Sequence, residues 1–477
     1  MAKYNSLQSI QTAIRKGDTT CLELVEYYLG QIEATKALNI YIEVYAEEAR
    51  ERAKALDQKF SENRESVGRL HGMVLSLKDI ICFAGHKVTA ASRILEGYET
   101  PFSATAVDRI LKEDVIIIGR VNCDQFAMGS TNENSIYGPV KNFADTTKVP
   151  GGSSGGSAVS VQADTCLASL GSDTGGSVRQ PASFCGVIGF KPSYGRISRY
   201  GLLAYASSFD QIGTLTHRVK DAALLTEIMS GADEFDSTAS PRAVESWSTA
   251  PPFSGNAKIA YFKAALGHES LDETVRTQTQ AVIDQLKAEG HEVEPLDFDL
   301  LDYIIPAYYV LTTAEASTNL SRFDGIRYGH RSSEAGNLLE TYSKSRAEGF
   351  SEEVKRRIML GTFVLSAGYY DAYYGKAQQV RRLIQDRTNQ IFEKYDFIMM
   401  PASPVQPWKI GEKIDDPVAM YLSDIFTVQA NMVGVPAICL PAGNFENGMP
   451  FGMQFIANRF EEQKLFSFAQ YFQDINL

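Results

Sequence analysis

Cysteine is scarce in this chain of 477 residues, which contains only six. No two of them form a C-x-x-C pair and no spacing matches a zinc site, so the sequence argues against a disulfide framework and against a metal centre. Long apolar runs are missing too, since none approaches the ~20 residues that a membrane-spanning helix needs. Residues 1–6 also lack the apolar core of a secretion signal. We therefore expect a cytoplasmic protein with reduced, mostly buried thiols and no bound metal.

Positive charge is also in short supply. Lysine and arginine total 46 against 58 acidic residues, which gives a formal net charge of −12, and no compact basic run offsets it. Affinity for nucleic acid comes largely from neutralising phosphates, so this balance disfavours a nucleic-acid binder. The hydrophobic content of 44% and the charged content of 22% are ordinary for a soluble globular protein. A nucleic-acid partner would thus have to be held by another protein.

The order of the predicted elements favours an α/β fold. Short apolar runs at residues 73–77, 115–118 and 167–170 have the pattern of buried strands, and amphipathic helical segments alternate with them. Residues 231–256 are rich in Ser, Pro, Asp and Ala with little apolar periodicity, which is typical of a linker or an excursion. We expect one domain over residues 1–477, with a catalytic core at about 65–230 and the remainder of the fold at 257–477.

Two loops combine serine with unusually many glycines: G-G-S-S-G-G-S at residues 151–157 and G-S-D-T-G-G-S at residues 171–177. Glycine has no Cβ, so its peptide N–H can approach a substrate closely and stabilise a developing oxyanion. Each loop could instead be a turn or a phosphate-binding loop, although the G-K-[ST] sequence of a P-loop is absent. Together the loops favour an acyl-transfer site.

A serine nucleophile needs a base, and none of the six histidines lies in a recognisable triad motif. Lys78 follows the apolar run 73–77, where burial would disfavour its charged form and make it a plausible neutral base. The alternative is a surface lysine that pairs with the adjacent Asp79.

The two loops and Lys78 together resemble the amidase signature family, in which a lysine at a strand end precedes G-G-S-S-G-G-S and G-x-D-x-G-G-S loops. The resemblance extends through F-K-P-S-Y-G-R at residues 190–196. It implies a large mixed β-sheet covered by helices on both faces. It also implies Ser177 as the nucleophile, Ser153 as the serine that relays the proton, and Lys78 as the base. The backbone N–H groups implied for the oxyanion hole are those of Thr174, Gly175, Gly176 and Ser177.

Motifs along nearly the whole chain include D-Q-F-A-M-G-S at residues 124–130, R-F-D-G at 322–325 and K-R-R-I-M-L-G at 355–361. Within that family, they resemble the glutamine-hydrolysing subunits of tRNA-dependent amidotransferases. This likeness suggests Arg357 for the α-carboxylate of glutamine, Asp424 for its ammonium group and Tyr308 as a hydroxyl partner. The alternative for each is an ion pair or a core tyrosine that stabilises the fold, and Tyr309 competes with Tyr308. The chain departs from these relatives at Gln125, where they often carry glutamate, so any acidic role in ammonia transfer is in doubt here.

The likeness implies that glutamine is hydrolysed through a seryl ester and that the ammonia amidates glutamate, or aspartate, esterified to tRNA. It further implies a heterotrimer with the B and C subunits of the amidotransferase, misacylated tRNA held mainly by a partner, and ATP with Mg²⁺ on that partner. This chain would bind no cofactor. Two alternatives remain at this point: a stand-alone amidase that acts on another carboxamide, and a non-catalytic scaffold.

Overall fold

Strands from both halves of the chain pair into one sheet of eleven strands in this computed structural model, which describes residues 3–413 and 417–476. The strands of the described residues are β1 (Tyr41–Val44), β2 (Val74–Lys78), β3 (His86–Lys87), β4 (Glu99–Thr100), β5 (Ile116–Val121), β6 (Ala168–Asp173), β7 (Ile188–Lys191), β8 (Gln211–Thr216), β9 (Lys258–Phe262), β10 (Glu292–Leu296), β11 (Phe397–Pro401), β12 (Ala437–Asn444) and β13 (Pro450–Ile456).

The α-helices of the same residues are α1 (Leu7–Lys16), α2 (Cys21–Ala34), α3 (Ala46–Glu62), α4 (Thr105–Lys112), α5 (Gly155–Gln162), α6 (Arg179–Cys185), α7 (Val219–Met229), α8 (Lys263–Leu266), α9 (Glu273–Ala288), α10 (Leu301–Asn319), α11 (Leu338–Gly349), α12 (Glu352–Val364), α13 (Lys376–Phe392), α14 (Pro417–Leu422), α15 (Val428–Val433) and α16 (Glu462–Ile475). None of these helices is long and apolar enough to cross a membrane.

The large sheet is mixed, and its strand order is β1-β5-β2-β6-β8-β7-β12-β13-β11-β9-β10. Strand β2 pairs in parallel with both β5 and β6, while β8, β7, β12 and β13 continue the sheet in antiparallel pairs. Strands β3 and β4 form a separate two-stranded sheet. The predicted α/β class with a large mixed sheet is confirmed.

Strand β2 places the candidate base in the interior. All five of its residues are buried, since parallel neighbours pair with both of its edges and helix α5 packs against it. Lys78 is its last residue, so its side chain lies at the carboxyl end of a parallel strand, the usual position for a site in an α/β sheet. The second glycine–serine loop leaves the carboxyl end of the adjacent strand β6. Strand pairing therefore brings the two predicted elements of the site side by side.

The segment 231–256 packs against the fold although it contains only one short 3-10 helix, at Trp247–Thr249. The Trp247 side chain is buried, and the Arg196 guanidinium lies 4.8 Å from its ring centroid. The Phe253 N–H donates to the Ser467 carbonyl at 3.0 Å. The segment is thus an ordered excursion, and the division of the chain into one domain stays a prediction.

Candidate active site

Lys78 is fully buried, and its only hydrogen-bond partners among the described residues are hydroxyls. Its Nζ atom lies 2.7 Å from Ser153 Oγ, 2.9 Å from Ser154 Oγ and 2.9 Å from Ser172 Oγ. Burial disfavours the ammonium form and lowers the pKa of Lys78 to about 8. About one molecule in ten therefore carries the neutral amine at pH 7, which is the form that a base requires.

The alternative pairing of Lys78 with Asp79 is wrong. The Asp79 carboxylate accepts hydrogen bonds from the N–H groups of Thr89 and Ala91, at 3.1 and 2.8 Å, and Arg120 Nε lies 3.6 Å away. Among the described residues, no hydrogen bond or ion pair joins the Asp79 carboxylate to Lys78.

The hydrogen-bonding capacity of each group shows which hydroxyl can give its proton to Lys78. A neutral amine donates two hydrogen bonds and accepts one, so one of its three hydroxyl neighbours must be a donor. Ser154 Oγ already donates to the Ser172 carbonyl at 3.1 Å and can only accept from Lys78. The amine lone pair is thus available to Ser153 or Ser172, and the shortest of the three distances is to Ser153.

The two glycine–serine loops lie against each other. The Ser154 N–H donates to the Ser177 carbonyl at 3.2 Å, and the Gly152–Ser153 peptide bond is cis. Ser153 is fully buried, whereas Ser177 is half-buried and its hydroxyl makes no hydrogen bond with any described residue. Of Lys78, Ser153 and Ser177, only Ser177 is partly exposed, so its hydroxyl is the one that a substrate can reach. The structure brings the three predicted residues into one site, and their catalytic roles stay predictions.

The second loop is held by a buried ion pair that the sequence analysis did not identify. Asp173 accepts two hydrogen bonds from Arg179, at 2.9 and 3.0 Å. Burial alone would raise the pKa of Asp173, but the paired Arg179 outweighs it and lowers this pKa to about 2. A charged acceptor is therefore fixed beneath the loop. The signal lay in and just after the motif, since Asp173 precedes its paired glycines and Arg179 follows Ser177 by two residues.

This ion pair corrects the predicted oxyanion hole. The Gly176 N–H donates to Asp173 Oδ1 at 2.9 Å, so it points into the protein and is already satisfied. The N–H groups of Thr174, Gly175 and Ser177 have no backbone acceptor among the described residues. Gly176 has a φ of +135°, a conformation that favours glycine. Three of the four predicted donors remain for an oxyanion.

Arg357 is buried on α12 in a box of aromatic rings. Its guanidinium carbon lies 5.4 to 5.6 Å from the ring centroids of Tyr205, Tyr309 and Tyr421. Nε donates to Glu353 Oε1 at 2.8 Å and Nη1 donates to the Tyr205 hydroxyl at 2.9 Å. Nη2 makes no hydrogen bond with the described residues. The ion pair of the alternative interpretation is present, and it leaves one nitrogen of the guanidinium for a ligand.

Asp424 lies beside the second loop. Thr427 Oγ1 joins the two, at 2.6 Å from the Gly175 carbonyl and 3.0 Å from the Asp424 carbonyl. One carboxylate oxygen of Asp424 accepts from Ser130 Oγ at 2.6 Å, and the other has no partner among the described residues. Burial raises the pKa of Asp424 to about 7, so the group gains its negative charge as the pH passes through neutrality.

The two adjacent tyrosines of α10 face different parts of the site. A Cβ atom added to Gly175 would lie 2.5 Å from the Tyr308 hydroxyl, so this hydroxyl borders the second loop. The Tyr309 ring instead stacks on Tyr421 at 4.0 Å and faces Arg357. Tyr308 is thus near the second loop and Tyr309 near the guanidinium.

A comparison with known protein families shows to which family this chain belongs. The model of the amidase family matches residues 23–466. The chain belongs to the amidase family.

Three relatives of this chain carry the same protein name. The A subunit of glutamyl-tRNA(Gln) amidotransferase from Chlorobium phaeobacteroides is 52% identical over 468 residues, which cover 98% of each chain. The protein of the same name from Chlorobaculum tepidum is 48% identical over 474 residues, covering 99% of this amidase and 98% of the relative. The crystal structure of the protein of that name from Thermotoga maritima superposes with a TM-score of 0.76 at 40% identity, covering 94% of this amidase and 92% of the relative. The resemblance seen in the sequence is confirmed.

Gln125 stands where a glutamate is expected, and its side chain forms a hydrogen bond with the start of α12. Its side chain is buried, and Oε1 accepts from the Ser351 N–H at 2.7 Å. Ser351 is the N-cap of α12, the helix that carries Arg357. The amide thereby holds the start of that helix, a role that sequence reasoning missed.

A surface cleft of about 840 Å³ lies away from this site. Its lining includes exposed cations from three segments: Arg15, Arg64, Arg69 and Lys220. It contains none of the predicted site residues of this amidase, and its volume alone does not indicate a second active site. Among the described residues, no group of three or more His, Cys, Asp and Glu side chains could hold a metal ion.

Proposed function

We propose that this amidase is the glutaminase component of a tRNA-dependent amidotransferase that converts Glu-tRNA(Gln), or also Asp-tRNA(Asn), to the amidated aminoacyl-tRNA. The observation that carries the proposal is the buried contact of 2.7 Å between Lys78 Nζ and Ser153 Oγ. It occurs in a chain that is 52% identical over nearly its whole length to the A subunit of a glutamyl-tRNA(Gln) amidotransferase.

The reaction begins with proton transfer through two hydroxyls. Neutral Lys78 takes the proton of Ser153 while Ser153 takes that of Ser177, and the Ser177 oxygen attacks the carboxamide carbon of glutamine. Ser153 and Ser177 share no hydrogen bond in this structure, and catalytic contacts of this kind often tighten only when substrate binds.

The tetrahedral intermediate carries its charge on the former carboxamide oxygen. The N–H groups of Thr174, Gly175 and Ser177 are the donors suited to that oxygen. The C–N bond then breaks as Ser153 returns the proton to the departing nitrogen, which leaves as ammonia. Water hydrolyses the seryl ester by the reverse proton path, releasing glutamate and restoring Ser177.

Glutamine is recognised at its amino-acid end by opposite charges. The free nitrogen of Arg357 binds the α-carboxylate, and the free oxygen of ionised Asp424 binds the ammonium group. The Tyr308 hydroxyl adds a polar contact near the second loop. Both charged residues are buried and backed by the protein, so each is oriented before substrate binds.

The released ammonia needs a second substrate that it can amidate. The relatives are named as subunits of an amidotransferase, an enzyme that carries out such an amidation. We infer a heterotrimer in which this chain joins the B and C subunits. The partner holds the misacylated tRNA and uses ATP with Mg²⁺ to activate the acyl group. The net charge of −12 supports this division of labour, because an acidic surface disfavours direct tRNA binding. The complex works in the cytoplasm, where aminoacyl-tRNA is made.

A serine substitution tests the chemistry. Ser177→Ala should lower glutamine hydrolysis by roughly 10³-fold or more, because the nucleophile is lost while the fold is kept. Ser157→Ala is a matched control: it is a buried serine of the first loop whose hydroxyl donates to the Leu170 carbonyl at 3.2 Å, away from Lys78. Activity retained by Ser177→Ala would remove the assignment.

Co-purification tests the biological role. The chain should be isolated from its native cell with its partners, and the complex should amidate misacylated tRNA in a glutamine-dependent reaction that needs ATP. If the chain purifies alone and hydrolyses glutamine or another carboxamide at the same rate without partners, ATP or tRNA, it is a stand-alone amidase.

A further inference from the structure

A further buried carboxylate, Asp210, lies next to the second glycine–serine loop and takes no part in the reaction described above. It immediately precedes β8 and is only 3% exposed. One of its oxygens accepts from Thr174 Oγ1 at 2.7 Å. The other accepts from two consecutive backbone groups, the N–H of Tyr205 at 2.9 Å and that of Ala206 at 3.0 Å. The Asp210 carboxylate thus joins the second glycine–serine loop to the turn that contains Tyr205.

The same tyrosine also reaches the other end of the substrate pocket. Its hydroxyl accepts from Arg357 Nη1 at 2.9 Å, and the guanidinium carbon lies 5.6 Å from its ring centroid. Tyr205 is only 2% exposed, so its ring has little freedom to move independently of its backbone. The position of Arg357 therefore depends on the backbone that Asp210 holds.

We propose that Asp210 is a positioning residue that keeps the oxyanion amide of Thr174 and the guanidinium of Arg357 at a fixed separation. The path from Thr174 through Asp210 and Tyr205 to Arg357 consists of hydrogen bonds and one buried aromatic side chain. Glutamine must reach both ends at once, with its carboxamide oxygen at the loop and its α-carboxylate at the guanidinium. Fixing this distance in advance aligns the carboxamide carbon with Ser177 when the amino-acid end is bound.

Three converging donors stabilise the ionised form of the Asp210 carboxylate against the cost of its burial. Burial raises the pKa of Asp210 to about 7, and the three donors that converge on it oppose that effect. A merely structural turn does not require a charge here, because an amide or a peptide carbonyl accepts hydrogen bonds at a smaller desolvation cost. Above its pKa of about 7 the carboxylate is ionised, and a charged acceptor gives shorter and stronger bonds, which suits precise positioning.

The proposal rests on the proposed glutaminase function, and a split between kinetic constants tests it. Loosening the oxyanion amide should lower kcat, and loosening Arg357 should raise KM. In the full-length chain purified with the proteins that accompany it, Thr174→Val should lower kcat for glutamine about tenfold, and Tyr205→Phe should raise KM about tenfold. Asp210→Asn should change both constants, because an amide cannot accept from the hydroxyl and from both peptide groups in the same geometry.

Asp221→Asn is the matched control. Asp221 is also a buried carboxylate whose pKa is raised to about 7 by burial, and it also accepts from a backbone group, the Leu7 N–H at 3.1 Å. It lies outside the site, so both constants should stay within about twofold of the unmodified protein. Equal effects of the two substitutions would mean that Asp210 acts only on general stability, and this would overturn the proposal.

A double substitution covers the case in which Asp210→Asn fails to fold. If the two ends are coupled through Asp210 and Tyr205, the combined effect of Thr174→Val and Tyr205→Phe on kcat/KM should differ from the product of the single effects by about fivefold or more. A simple product would contradict coupling. Absence of glutamine hydrolysis in the unmodified complex would instead contradict the proposed function, so the two failures are distinguishable.

Discussion

The neutral form of Lys78 should control the rate, and the structure gives the size of this effect. Burial lowers its pKa from 10.5 to about 8, a change that corresponds to ~3 kcal/mol between the two protonation states. At pH 7 an amine with a pKa of 10.5 is neutral in roughly one molecule in 3,000, whereas an amine with a pKa of about 8 is neutral in roughly one in ten. Burial thus increases the population of the active base roughly 300-fold.

The assay is kcat for glutamine hydrolysis between pH 6 and 10 at saturating glutamine. Because the protonated lysine cannot accept a proton from Ser153, kcat should rise with pH and reach half of its maximum near pH 8. Lys78→Arg should lower kcat by roughly 10²- to 10⁴-fold and abolish the rise, since a guanidinium stays charged throughout this range.

Asp424 provides an internal control, because its pKa is about 7. In the proposed mechanism this carboxylate binds the ammonium group of glutamine and takes no part in proton transfer. Its ionisation should lower KM as the pH rises through 7, and Asp424→Asn should remove that change while kcat keeps its midpoint near pH 8. A midpoint near 10.5, a profile independent of pH, or an active Lys78→Arg variant would refute the reasoning.

Two further substitutions test the substrate pocket and the loop. Arg357→Ala should raise KM for glutamine by roughly 10- to 100-fold with a smaller change in kcat. Arg356→Ala removes an exposed neighbour and should leave KM nearly unchanged. Equal KM values for the two variants would count against the proposed pocket. Gly175→Ala should lower kcat/KM at least about tenfold in the same assay, because its Cβ would lie 2.5 Å from the Tyr308 hydroxyl. Gly30→Ala on α2 meets no atom within 4 Å and should keep full activity, and a fully active Gly175→Ala variant would contradict the loop geometry.

The parts of the site that could be predicted from sequence are those encoded by short segments. Lys78 ends a buried and largely apolar strand, and each predicted catalytic serine stands in its own glycine-rich loop, so residue type and local conformation indicate the chemistry together. Strand pairing then brings the two loops together, as the alternation of strands and helices suggests.

The parts that could not be predicted depend on contacts between distant segments or on exact loop geometry. The Gly176 N–H donates to Asp173 and is therefore not available to an oxyanion. This hydrogen bond depends on the exact backbone conformation of the loop, which residue types do not specify. The hydrogen bond between Tyr205 and Arg357 joins residues 152 positions apart, and no pattern near either residue indicates it. The tie between Gln125 and Ser351 likewise spans 226 positions. Such contacts follow only from the packing of the whole sheet and its helices.

Covalent trapping of the nucleophile tests the central claim most directly. An acylating reagent that mimics a carboxamide should add its mass to the peptide that contains Ser177, and the rate of labelling should rise through pH 8 and fall sharply in Lys78→Arg and Ser153→Ala. Labelling of another residue, or labelling of Ser177 at an unchanged rate in both variants, would contradict activation of this serine by the buried lysine.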